Sequence, residues 1–230
     1  MRLFPKARLA RMDADTMSRR GSYAEVLGKF RARQIDILLG TQMIAKGLDF
    51  PNVTLVGIIN ADIGLHSPDF RAGERTFQLL TQVAGRAGRG DMEGEVIVQT
   101  FSPASPSIQH ARHHDYAGFF EQEISFREAF RHPPFTRMVL LQVRGVSLEQ
   151  TTSCAELVAK AFRAKATFSV EVSEAAAAPL ERAHGQYRYH VTLKSTSGSV
   201  LGNLVRDVTM CLKLPKGVIM TVDVDPYSLM

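Results

Sequence analysis

Cysteine is nearly absent: Cys154 and Cys211 are the two in 230 residues. Their separation excludes a CxxC metal knuckle and leaves no disulfide framework. Both fall in segments of helical pattern, so buried thiols and a reducing, cytoplasmic compartment are expected. Long hydrophobic runs are missing too. No stretch approaches the roughly 20 apolar residues of a membrane span. The opening Met-Arg-Leu-Phe-Pro-Lys is too short, and too soon broken by proline, for a secretory signal. There is no low-complexity tract and no internal repeat. What is present is positive charge: 28 Lys and Arg stand against 23 Asp and Glu, a formal net of +5. That balance permits a polyanionic partner. The length fits one or two domains.

Residues 18–33 carry Tyr23, Val26, Leu27 and Phe30 at helical spacing, with Arg19, Arg20, Lys29, Arg31 and Arg33 as the wet face. A short strand over 7–12 precedes them. Residues 35–40 and 53–60 are apolar, β-branched runs suited to strands buried on both faces, as in a parallel sheet. Residues 64–73 read as a loop, a helix of about 14 residues starts at Glu74, and 95–100 is another strand. Strands alternating with helices argue for a doubly wound α/β lobe. In such sheets ligands bind beyond the carboxyl ends of the strands, where Thr41 and Asp62 stand.

Residues 81–90 read Thr-Gln-Val-Ala-Gly-Arg-Ala-Gly-Arg-Gly. On a helix, Gln82, Arg86 and Arg89 lie at i, i+4 and i+7, on one face. Arg75 and Gln78 extend the stripe, while Leu80, Val83 and Ala87 turn inward. Gly85 and Gly88 cost a helix roughly 2 kcal/mol relative to alanine, which signals a close backbone approach or a helix end. Guanidinium forks in fixed register suit phosphate oxygens. The alternative is a solvated basic face capped by Gly90. The Thr41 hydroxyl can meet a phosphate, and Asp49, next to Gly47, can hold a ribose hydroxyl.

Residues 102–106 (Ser-Pro-Ala-Ser-Pro) mark a boundary. A long amphipathic helix is expected over about 107–131, stopped by Pro133 and Pro134. His110, His113 and His114 lack a ligand set to complete a metal site and read as a polar helix face. Strands are expected at 138–146, 168–172, 187–193 and 218–224, and helices at 148–165 and 200–212. Residues 175–179 read as a loop. Ser147 with Gln150 has the capping-box pattern. The order β-α-β-β-α-β predicts a small split sandwich with an antiparallel sheet. Arg182, His184, Arg188 and Lys194, near Tyr187 and Tyr189, can take single-stranded DNA by charge and stacking, or an acidic peptide. The bland alternative is core tyrosines with solvated cations.

Residues 40–51, Gly-Thr-Gln-Met-Ile-Ala-Lys-Gly-Leu-Asp-Phe-Pro, resemble motif V of superfamily 2 helicases, and residues 82–89 resemble motif VI. Residues 69–75 (Asp-Phe-Arg-Ala-Gly-Glu-Arg), 132–135 (His-Pro-Pro-Phe), 179–182 (Pro-Leu-Glu-Arg), 187–189 (Tyr-Arg-Tyr) and 222–226 (Val-Asp-Val-Asp-Pro) narrow the resemblance to the PriA family of primosomal replication-restart DNA helicases. The resemblance implies a partial second RecA-like lobe, a parallel sheet flanked by helices, over 1–102. It implies a linker and bridging helix over 103–136 and a C-terminal α/β domain that binds DNA or partners over 137–230. No GxxxxGK[ST], DExH or paired CxxC sequence occurs. The chain is thus expected to be the C-terminal third, without activity of its own, and Met1 an artificial or truncated start.

The same resemblance implies ATP and Mg2+ at a site completed by another lobe, and zinc bound elsewhere in the family's full length. Arg86 and Arg89 would reach the γ-phosphate, Arg89 as arginine finger, with Gln82 beside them. Gly47 and Asp49 would lie near the nucleotide, and Thr41 would touch the DNA backbone. Single-stranded and forked DNA, single-stranded DNA-binding protein and other primosome proteins are the implied partners, and no membrane. Two other readings are a non-catalytic interaction module and a RecG-like translocase. The small C-terminal domain and the Pro133-Pro134 junction argue against the latter.

Overall fold

A computed structural model describes residues 3–13, 22–41, 53–85, 87 and 93–229. The chain forms two compact units. The first holds residues 1–65 and 73–119, the second 66–72 and 120–230.

In the first unit, β1 (Leu9–Met12) pairs in parallel with β2 (Ile37–Gly40). Asp36 fastens the start of this ladder, accepting from the Arg8 backbone N–H at 2.8 Å and from Arg8 Nη2 at 2.7 Å. Those bonds hold its carboxyl well below the usual carboxylate range. Helix α1 (Ser22–Arg31) covers the pair through Leu27, Tyr23, Val26 and Phe30, which close on Met12 and Leu38. This is the apolar face expected from the spacing.

β3 (Leu55–Ile58) pairs in parallel with β4 (Glu95–Val98). Among the described residues no ladder joins β2 to β3, so two parallel pairs stand where one continuous sheet was expected. β2 is not buried on both faces either: Leu39 and Gly40 are exposed.

Helix α2 (Asp62–Leu65) replaces the start of the expected loop. Helix α3 (Ala72–Ala84) begins two residues before Glu74. Asp69 supplies the reason: its Oδ1 accepts the Arg71 N–H at 3.0 Å and its carbonyl accepts the Ala72 N–H at 2.8 Å. Phe77 and Leu80 of α3 are buried with Ala61, Ile108, Ala111 and Phe119, and the Phe77 and Phe119 rings stack at 4.3 Å.

The expected single helix over 107–131 is two, α4 (Pro106–Arg112) and α5 (Tyr116–Ala129). His114 between them has φ 52°. Asp115 starts the second helix, its Oδ1 accepting the Gly118 N–H at 2.9 Å and its Oδ2 meeting His110 Nδ1 at 2.9 Å. A Cβ at Gly118 would collide with that carboxylate, so the cap needs glycine there. Asp115 is therefore a helix cap.

In the second unit, β5 (Arg137–Gly145) is central. β8 (Gln186–Ser195) and β9 (Val218–Val224) flank it, both antiparallel. β6 (Glu171–Val172) and β7 (Ala176–Ala183) follow one another along the outer edge of β8. β7 overturns the expected loop at 175–179 and makes the order β-α-β-β-β-α-β. Small residues pass as a strand because β8 accepts them as partners. β7 and β8 are joined by a two-residue turn, His184 at φ 50° and Gly185 at φ 77°, the left-handed pair that a tight hairpin requires.

Helices α6 (Leu148–Lys165) and α7 (Gly198–Cys211) supply the core of this unit against one face of the sheet. Ser147 caps α6, accepting the Gln150 N–H at 3.4 Å, and Ser197 caps α7 through Val200. Leu141, Val143, Val158, Phe162, Val191 and Leu193 are fully buried in that core. Cys154 is buried, but Cys211 is exposed, against expectation: it ends α7 on the outer side, where Lys165 Nζ lies 3.8 Å from its Sγ.

Candidate functional site

Among the described candidates in the first unit, Thr41 is exposed one residue beyond β2, at the carboxyl end of a parallel strand. Gln82 is exposed in the last turn of α3. The helix stops at Ala84, and the Gly85 N–H reaches the Thr81 carbonyl at 3.1 Å. A Cβ on Gly85 would make ordinary contacts, the nearest at 3.5 Å. Of the two explanations for that glycine, a helix end rather than a close approach therefore holds. Gly47, Asp49, Arg86 and Arg89 lie outside the described residues.

Asp62, the other strand-end candidate, is 5% exposed and committed to the fold. Its Oδ1 accepts from Thr100 Oγ1 and its Oδ2 from the Phe101 N–H, both at 2.9 Å. It ties the chain just after β3 to the chain just after β4. Gln78 bonds Glu74 Oε1 at 3.1 Å along the α3 surface.

In the second unit, the alternation of β8 divides the expected cluster between two faces. Tyr187 and Tyr189 are on the helix side, Tyr189 packed against the core. The Arg182 guanidinium lies 5.1 Å from the centre of the Tyr187 ring, a cation–π pair at the hairpin. Arg188, His190 and Lys194 project from the other face. Lys194 Nζ is 3.3 Å from His132 Nδ1. His132 stacks on Phe70 at 5.1 Å, with the Arg71 guanidinium 4.1 Å and the Arg127 guanidinium 5.2 Å from that ring's centre. Burial, then Lys194 and Arg127, push the His132 pKa down. The segment 66–72 is clasped within this unit: Arg71 Nη1 donates to the Pro226 carbonyl at 3.1 Å, and the Leu229 N–H donates to Asp69 Oδ2 at 3.2 Å. So Arg182 and Tyr187 are brought together, while Arg188 is set apart from both.

Arg188 instead stands directly opposite Arg144 of β5, and His190 opposite Gln142, with 3.0 Å between Gln142 Nε2 and His190 Nε2. Burial first, and Arg188 second, lower the His190 pKa to about 4. The sequence reading passed over Arg144. Its one available signal was an arginine alternating with glutamine in an otherwise apolar strand.

Among the described residues no group of three or more His, Cys, Asp or Glu is placed to hold a metal ion. No described helix is long and apolar enough to cross a membrane.

Residues 128–227 match the family described as Primosomal protein N C-terminal domain, and residues 3–91 match Helicase conserved C-terminal domain. The Replication restart protein PriA of Bacillus subtilis is 41% identical over 232 residues, covering 100% of this chain and 29% of that protein. The protein of the same name from Treponema pallidum is 41% identical over 228 residues, covering 99% and 35%. That of Haemophilus influenzae is 37% identical over 228 residues, covering 99% and 31%. The chain thus spans about a third of the length of these curated relatives.

Proposed function

The chain matches the C-terminal portion of the PriA replication-restart family over its whole length, and from that premise we propose that it is the corresponding part of an ATP-dependent DNA helicase. The observation that carries this is the end-to-end likeness, a helicase domain followed by a primosomal one, in the order that the relatives share. The intact protein moves 3′ to 5′ on single-stranded DNA, opens forks and loads the primosome. Residues 1–102 belong to the second RecA-like lobe. Residues 103–136 bridge to the C-terminal domain, residues 137–230.

Another lobe holds ATP and Mg2+ by its phosphate loop and acidic box. Gln82, Arg86 and Arg89 address the γ-phosphate from this side, Gly47 and Asp49 flank the nucleotide, and Thr41 meets the DNA backbone. Support comes from the motif order and from the places of Thr41 after β2 and Gln82 late in α3. Arg182, Tyr187 and Arg188 bind single-stranded DNA or the acidic tail of single-stranded DNA-binding protein.

Strand displacement by the full-length protein tests the reading. Forks with a 3′ single-stranded tail should be opened only with ATP and Mg2+. Opening of 5′-tailed forks alone, or opening without ATP, overturns it.

A further inference from the structure

The second unit's sheet packs α6 and α7 against one face. On the other, register sets Arg144 of β5 directly opposite Arg188 of β8. Like charges in that position repel. Among the described residues nothing relieves them: neither guanidinium has a hydrogen bond or an ion pair, and the Nε of each is buried without an acceptor. A buried donor left unmade destabilises a fold, so such a pair calls for an anion. Asp223 opposite Leu140 and Glu171 opposite Lys194 are at the far end of this face, while Glu181 of β7 lies in the irregular stretch beside Arg188, exposed and without an ion pair to it among the described residues. The near end offers neutral polar neighbours, Gln142, Thr221 and His190, with Ile219 beside Arg144.

We infer that Arg144 and Arg188 form a phosphate-binding site on the face of this sheet opposite α6 and α7, and that its ligand is the sugar–phosphate backbone of single-stranded nucleic acid. The inference rests on the DNA-binding reading of this domain and relocates it, away from the Arg182–Tyr187 side. Guanidinium groups present parallel N–H donors that match phosphate oxygens. Their strands are the central pair of the sheet, so both groups are held on rigid elements rather than loops. Binding is non-specific in sequence, because phosphate contacts carry no base information. A peptide carboxylate needs an apolar groove for the side chains beside it, and Ile219 alone among these register neighbours is apolar.

The test is anisotropy of a labelled oligothymidylate with chain 1–230 over a range of NaCl concentrations. Wild type, Arg144→Gln, Arg188→Gln, the double variant, Arg182→Gln and the α7 control Arg206→Gln are compared. Each phosphate contact on a single strand contributes about 0.7 to the slope of log K against log salt. Arg144→Gln and Arg188→Gln should each lower that slope by about 0.7, the double variant by about 1.4, and Arg206→Gln should leave it unchanged. Both single variants should melt no lower than wild type, since each removes a like-charge opposition.

Wild-type NMR gives a readout free of substitution: oligothymidylate should shift the signals of Arg144, Arg188 and His190 ahead of those of α6 and α7. Unchanged slopes in the Arg144 and Arg188 variants, with loss confined to Arg182→Gln, would overturn the inference and leave the DNA reading standing. No oligothymidylate binding by wild type would overturn both. Loss of an acidic carboxyl-terminal peptide, with the oligothymidylate still held, would replace the proposed ligand.

Discussion

Replacing Asp62 with alanine removes a side chain that ties the chain after β3 to the chain after β4. Its two carboxylate oxygens each accept a hydrogen bond at 2.9 Å, from Thr100 Oγ1 and the Phe101 N–H, and the residue is 5% exposed. Bonds to a charged acceptor contribute about 1.5–3 kcal/mol each, and the Phe101 donor would be left unmade. Relief of the buried charge offsets part of this, so the net loss is about 3 kcal/mol. With a urea dependence of about 2 kcal/mol per M, the first unit's midpoint should fall by about 1.5 M. Asp62→Asn keeps a carbonyl for one donor and should lose roughly half as much. Far-UV circular dichroism in urea, with amide exchange at Phe101 as a local probe, reads both variants. A midpoint unchanged in Asp62→Ala, with Phe101 still protected, would refute the structural role and return Asp62 to the ligand-binding candidates at the strand ends.

Phe162→Ala empties the centre of the second unit's core, where the ring is 0% exposed, and should cost about 3–5 kcal/mol in urea unfolding. His190 has its folded pKa lowered from 6.5 to about 4. The unfolded chain therefore binds the extra proton first, so stability falls as pH drops from 6.5 towards 4. NMR titration should place its midpoint near 4, and His190→Gln should flatten the melting temperature across that window. Asp36 and Asp115 both have folded pKa values depressed below the ordinary 3.8. Their contribution is present above that value and is lost as pH falls through the folded pKa. Asp115→Asn should make melting less acid-sensitive below about pH 4 and should fray the start of α5 by amide exchange.

The elements that were legible are those with a local cause. The Ser147 cap and the periodicity after it define α6, and α1 packs the four residues its spacing picks out against Met12 and Leu38. β9 likewise runs over the residues read for it. Where a distant partner decides, the one-dimensional reading fails. Residues 176–183 are alanine-rich, and only pairing with β8 makes them a strand. The capping role of Asp115 has no sequence signal of its own, because it depends on the backbone break at His114. Arg144 was invisible beside Arg188, since 44 positions separate them and register alone makes them neighbours. Alternation also separates Arg188 from Tyr187, two residues the sequence sets side by side. The end of α3 at Ala84 was signalled only by Gly85.

The account turns on Arg89, so DNA-stimulated ATP hydrolysis by the full-length protein carrying Arg89→Ala tests it most directly. An arginine finger contributes about 10³–10⁵ in rate, so turnover should fall by at least about a thousandfold while ATP binding is largely kept. Turnover within a few-fold of the unaltered protein, at equal ATP affinity, would contradict the assignment of this chain to one side of a nucleotide cleft.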